Sequence, residues 1–192
     1  MDRRLLSPAL TASALVALMS GTLAAPAVAA DYVQAPGSTL AFATRYDGER
    51  FTGRFANFTT TLTFDPAQLE GSKLDVAISL ASVNTGNDDR DSTLAGGEFF
   101  DLGSFAQARY TASRFRALGG NEFEADGILS LRGVSKPVVL SFTWTPGERP
   151  VLAGSATVNR IDFGVGSGDW SDIGLLPRDV AVSTRVVFTA VP

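Results

Sequence analysis

The segment KLDVAISLAS, residues 73–82, places Leu74, Val76, Ile78 and Leu80 on one face and Lys73, Asp75, Ala77 and Ser79 on the other. A repeat of two residues belongs to an extended strand with one dry and one wet face, because successive side chains of a pleated strand point in opposite directions. The repeat recurs at Leu40/Phe42/Tyr46, Phe58/Leu62/Phe64, Phe123/Ala125/Leu129/Leu131, Val138/Leu140/Phe142/Trp144 and Val180/Val182/Val186/Phe188. Weaker copies span residues 109–117 and 151–160. The pattern predicts eight antiparallel strands, at 39–46, 56–64, 73–82, 109–117, 122–132, 137–145, 151–160 and 179–190. Eight such strands close into a β-barrel whose interior either fills with side chains or holds one small ligand. The expected fold class is all-β, as one domain.

The connections carry their own signals. Asp47-Gly48, Asp65-Pro66, residues 118–121 (LGGN) and 146–150 (PGERP) are turn sequences, and Gly133 makes a tight link. Residues 31–39 read as a lead-in broken at Pro36-Gly37, and residues 51–55 (FTGRF) as an irregular or helical turn. The longest connection, 83–108, separates strands three and four. Its 85–91 run (TGNDDRD) supplies capping residues for a short helical insertion through 92–97. Phe99, Phe100 and Phe105 follow, and three phenylalanines in one long connection predict a lid or plug over one mouth of the barrel.

The first thirty residues read as a secretory signal peptide, with Arg3 and Arg4, an apolar run from Ala9 to Leu23, and small residues up to Ala30. That run is shorter than the ~20 residues a membrane span needs, so no transmembrane anchor is expected. The mature chain, 31–192, should be periplasmic. Without Arg3 and Arg4 the 16 basic residues become 14, and without Asp2 the 20 acidic residues become 19, a net charge of −5. An acidic chain with scattered arginines is ill-suited to nucleic acid.

Cysteine and histidine are both absent. Thiol catalysis, disulfides, a lipidated amino terminus, Ser–His–Asp triads and histidine metal sites are therefore excluded. The DDRD run at 88–91 fails the calcium-loop pattern, since the sixth and twelfth positions from Asp89 are Leu94 and Phe100. The GVGSG run at 164–168 lacks the strand and helix of a nucleotide fingerprint and reads as a bend. No catalytic residue, metal ligand or cofactor is assigned. A pair of carboxylates remains the one route to hydrolysis.

Several motifs, in order along the chain, resemble the YceI-like family: Phe51-x-Gly53-x-Phe55-x-x-Phe58 with Phe64-Asp65-Pro66, then Thr85-Gly86-Asn87, Arg90-Asp91, Leu94 and Phe99-Phe100-Asp101. Gly127-x-Leu129-x-Leu131-Arg132-Gly133-Val134-x-Lys136-Pro137-Val138 and Asn159-Arg160-x-Asp162-Phe163-Gly164-x-Gly166, with Trp170 beyond, continue the likeness. Where the family often has a proline after its phenylalanine, this chain reads Phe105-Ala106. The resemblance implies a lipocalin-like eight-stranded barrel with a helical insertion, exported, and holding a long-chain isoprenoid or similar amphiphilic lipid in an apolar pocket.

On that reading the inward strand positions become lining candidates: Phe42, Leu62, Phe64, Val76, Ile78, Leu80, Leu129, Leu131, Phe142, Trp144, Val182 and Val186. Phe99, Phe100 and Phe105 would close the mouth, and Asn87, Arg90 or Trp170 would meet a headgroup. Two other readings stay open: a stress-response or partner-binding barrel with a filled core, and a carboxylate-based hydrolase. Oligomeric state is also open, a homodimer included.

Overall fold

A computed structural model describes residues 29–191; residues 1–28 of the expected signal peptide lie outside the described residues. The elements in chain order are β1 (Ala30–Gln34), β2 (Thr39–Tyr46), β3 (Glu49–Phe55), β4 (Phe58–Phe64), β5 (Lys73–Ser79), β6 (Val83–Asn84), α1 (Asp88–Ala95), β7 (Gln107–Gly119), β8 (Glu122–Leu131), β9 (Val134–Thr145), β10 (Val151–Asn159) and β11 (Asp179–Ala190).

All pairings are antiparallel. The sheet runs β4-β5-β7-β8-β9-β10-β11, and β1 hydrogen-bonds to both β4 and β11, so eight strands close a ring. Beyond β1, the same edge of β11 continues along β2, which pairs with β3, and β3 pairs with β6. Three staves of the barrel are thus each built from two strand segments, β1/β2, β3/β4 and β5/β6. The eight-stranded barrel read from the alternation is therefore present, as a simple up-and-down meander.

Several boundaries differ from the sequence reading. The expected lead-in contains β1, which closes the barrel through Tyr32↔Leu62 and Tyr32↔Ala190. Its alternation is only five residues long before Pro36-Gly37 bends the chain, with Gly37 at φ 97°. Residues 51–55 are not a helical turn but part of β3. Asp47 and Gly48, both left-handed at φ 48° and 80°, make the two-residue turn whose twist suits a hairpin, and they set Tyr46 opposite Glu49. The third expected strand stops at Ser79, where Leu80–Ser82 coil into a 3-10 turn. The helical insertion is where expected but starts earlier, because Asn87 caps it by accepting from the Arg90 N–H at 2.9 Å.

Inward-facing residues form two clusters at opposite ends of the barrel. At the floor, Phe64 meets Phe123 and Trp144 edge-on, each at 5.2 Å between ring centroids, with Phe142, Phe188 and Tyr32 around them. Edge-to-face aromatic packing of this kind fills space densely. At the other end Leu80, Leu94, Phe99, Phe100, Phe163, Val165 and Leu176 belong to the segments that cap the barrel. No helix among the described residues is long and apolar enough to cross a membrane.

Candidate functional site: an apolar cavity under a stitched cap

Between floor and cap the barrel encloses a cavity of about 210 Å³. Its wall is made by inward positions of nearly every strand, among them Leu40 and Phe42 of β2, Leu74, Val76 and Ile78 of β5, Leu129 and Leu131 of β8, Leu140 of β9, and Val182 and Val186 of β11. Leu94, Phe99, Phe100, Val165 and Leu176 roof it. The polar residues on the wall are Thr44, Thr60, Tyr110, Arg160 and Thr184, and no aspartate or glutamate among the described residues lines it. The carboxylate-pair reading thus finds no pair facing the cavity.

Tyr110 is neutralised as a polar group within the wall. Its hydroxyl donates toward the carbonyl oxygens of Ala125 at 2.9 Å and Val138 at 3.2 Å. Burial, with a smaller contribution from the charge of Asp126, pushes its pKa well above the usual tyrosine range. The ring lies over Gly127, where a Cβ would come within 2.3 Å of it.

Arg160 is the cap's anchor. It is only 3% exposed and has no carboxylate partner among the described residues. Instead Nε donates to the Pro177 carbonyl at 3.0 Å, Nη1 to Val165 at 2.9 Å and Gly166 at 2.7 Å, and Nη2 to Trp170 at 3.0 Å and Leu176 at 2.6 Å. A guanidinium has five N–H groups, and all five are engaged. Desolvation lowers its pKa, the direction expected for a buried cation. The surrounding chain is shaped to admit it: Asn159 caps the 3-10 turn, Gly164 is left-handed at φ 66°, and a Cβ on Gly166 would meet Nη1 at 2.5 Å.

The two cap segments are tied to each other. The Glu98 carbonyl accepts from Gly166 N–H at 2.7 Å and Ser167 N–H at 3.0 Å. Arg132 donates to the Gly97 carbonyl at 2.8 Å and also to that of Gly164.

A cleft of about 270 Å³ opens beside α1 and shares Phe51, Leu94, Phe99 and Leu176 with the cavity, which marks it as the mouth. Tyr46, Glu49, Arg50, Asp89, Arg90, Thr93 and Trp170 complete its wall. Two carboxylates and two guanidinium groups make its charge balanced. Arg90 lies 4.5 Å over the Phe51 ring, a cation–π contact.

The structure brings Phe42, Val76, Ile78, Leu80, Leu129, Leu131, Val182, Val186, Phe99 and Phe100 together on the cavity. Leu62, Phe64, Phe142 and Trp144 point inward as expected but lie in the packed floor, not on the cavity. Phe105 packs behind the cap. Trp170 stands at the mouth, 5.5 Å from Tyr46 and 5.2 Å from Phe99. Arg90 is on the mouth wall, whereas the Asn87 side chain is occupied by its helix. Sequence reasoning missed Arg160, Thr44 and Thr60. For Arg160 a signal existed, an arginine placed between Asn159 and two nearby glycines.

Comparison with known proteins places this geometry. The YceI-like domain pattern matches residues 32–189. A UPF0312 protein of Pseudomonas fluorescens is 34% identical over 168 residues, covering 79% of this chain and 85% of its own. Among solved structures, BcnA of Burkholderia cenocepacia superposes with a TM-score of 0.75 at 25% identity, over 78% of this chain and 95% of that one. A polyisoprenoid-binding domain from Saccharophagus degradans, implicated in plant cell wall breakdown, superposes with a TM-score of 0.65 at 19% identity, over 85% and 99%. The last likeness is one of fold.

Proposed function

The chain belongs to the YceI-like family, and on that premise we propose that it is an exported carrier that sequesters a long-chain isoprenoid or similar amphiphilic lipid in its barrel. The observation that carries this reading is the almost wholly apolar cavity between the aromatic floor and the stitched cap. The polyisoprenoid-binding relative of the same fold supports it. Binding would be driven by desolvation: each buried methylene contributes about 0.8 kcal/mol, so ten give roughly 8 kcal/mol gross, in the micromolar range before ordering costs. The protein acts as a binder in this reading, with no catalytic step, and works in the periplasm after its leader is removed.

The test is extraction of the protein purified from its native periplasm with organic solvent, followed by mass analysis. A stoichiometric isoprenoid or fatty amphiphile is the expected result. An empty extract from folded protein that also refuses added lipid would refute the carrier and leave the filled-core reading.

A further inference from the structure

Resting on the carrier reading, we propose that α1 is the door of the barrel. It tilts outward about its carboxyl-terminal turn to pass cargo, while the chain across the mouth, residues 160–178, stays fixed.

Phe51, Leu94, Phe99 and Leu176 stand on both the cavity and the mouth cleft. Leu94, Phe99 and Leu176 are buried, so one of the walls that carry them has to shift before a lipid chain passes. The Leu176 wall is pinned. Arg160 gathers five of its carbonyls, and the Asp47 N–H donates to the Leu175 carbonyl at 2.9 Å, tying it to the β2–β3 hairpin. The Phe99 wall is pinned too, through the Arg132 bond to the Gly97 carbonyl and the Gly166 and Ser167 bonds to the Glu98 carbonyl.

α1 has no such ties. Among the described residues, no hydrogen bond or ion pair joins residues 85–95 to any residue before 85 or after 102. The Leu94 and Ala95 carbonyls accept from the Phe100 and Leu102 N–H groups at 2.9 and 3.1 Å, which makes this turn the pivot. The other end of the helix is held by packing. Leu94 is the one buried residue of α1, and Arg90 lies over the Phe51 ring. An eight-residue helix is marginal by itself, and an element with few buried apolar contacts opens at low cost. Gly86, left-handed at φ 73°, and Gly96-Gly97 flank α1 and give its ends backbone freedom. Tilting takes Arg90 off Phe51 and draws Leu94 out of the roof, which joins the mouth cleft to the cavity.

The chain has no cysteine, so paired cysteines can be cross-linked cleanly. Glu49→Cys with Asp89→Cys, both on the cleft wall, joins α1 to the β2–β3 hairpin through a short bismaleimide. Asp47→Cys with Leu175→Cys, linked in the same way, bridges the fixed side. Uptake and release of geranylgeraniol should each slow at least about tenfold in the linked 49/89 protein relative to the same protein unlinked, with affinity unchanged. The 47/175 link should leave both rates unchanged. Unchanged rates in the linked 49/89 protein, equal slowing by the 47/175 link, or a loss of affinity carried by faster release overturns the door while leaving the carrier standing. In the empty wild type, the hydrogen-bonded amides of α1 should exchange at least about tenfold faster than those of Val165, Gly166 and Leu176. Equal protection overturns the door as well. A wild type that takes up no geranylgeraniol counts against the carrier reading, and the exchange comparison then decides the door by itself.

Discussion

Phe42 of β2 lies across the ladder directly over Gly53 of β3, its cross-strand partner, so closely that a Cβ on residue 53 would come within 2.3 Å of the ring. The glycine is the reason the ring can lie flat against the wall and leave the cavity open. Tyr110 over Gly127 repeats the device on another pair of strands. A glycine inside a strand weakens the strand itself, and an aromatic neighbour laid over it restores the packing.

Gly53→Ala is therefore expected to push the Phe42 ring off the backbone and into the cavity. Overpacking of this kind costs about 1–3 kcal/mol, and the cavity narrows near the mouth. Chemical denaturation and binding of a long-chain alcohol, measured on the same variant, should both show a loss. A Gly53→Ala protein with unchanged stability and binding would show that the ring has room elsewhere.

Wall and floor positions should separate binding from stability. Ile78→Trp and Leu129→Trp fill the cavity and should weaken lipid binding at least about tenfold with the barrel still folded. Leu62→Ala empties part of the floor, which the ligand does not reach, and should cost about 3 kcal/mol of stability with affinity nearly unchanged. Equal behaviour of the two classes in denaturation and binding would contradict the division between them.

Arg160 should be irreplaceable for the cap. Arg160→Met removes all five donors and leaves five carbonyls without them, and Arg160→Lys restores only three in a different geometry. Both should lose at least about 3 kcal/mol in denaturation. Hydrogen exchange should speed up across residues 161–178 in particular, because this is the segment whose carbonyls the guanidinium gathers. Protection that stays at the wild-type level there would remove the anchoring role.

The alkaline limit of the fold should belong to Tyr110. Its pKa is raised in the folded state, so above the ordinary tyrosine value of about 10 the folded protein holds a proton that the unfolded chain releases. Folded protein then binds more protons than unfolded, and stability must fall as pH rises, by up to about 1.4 kcal/mol per pH unit from this group. Tyr110→Phe should flatten that decline in denaturation midpoints measured from pH 9 upward. An identical decline in the variant would assign the alkaline limit to other groups.

Much of this fold is legible in the sequence. The two-residue repeat locates every long stave, because a strand with one buried face must alternate over its length. It misses β1 and β3, where the repeat is brief and interrupted: Pro36-Gly37 follows β1 closely, and Gly53 stands in β3 where an apolar side chain would have completed the pattern. The cavity is legible only in part. Parity says which side chains point inward but not the height at which the barrel fills, so Leu62, Phe64, Phe142 and Trp144 look like Val76 and Leu129 in the sequence while packing into the floor. The polar residues of the wall are the least visible. Arg160 reads as an end-of-strand charge until the chain that follows it turns back and offers its carbonyls.

The most direct test of the container is native mass spectrometry of the intact protein, exposed to geranylgeraniol without detergent, beside the Leu129→Trp variant. A cargo held inside the barrel should give a single added ligand mass on the wild type and its loss in the variant, with both proteins folded. A wild-type protein that remains folded and bare, or a variant that binds as well as the wild type, would contradict a cargo held inside the barrel.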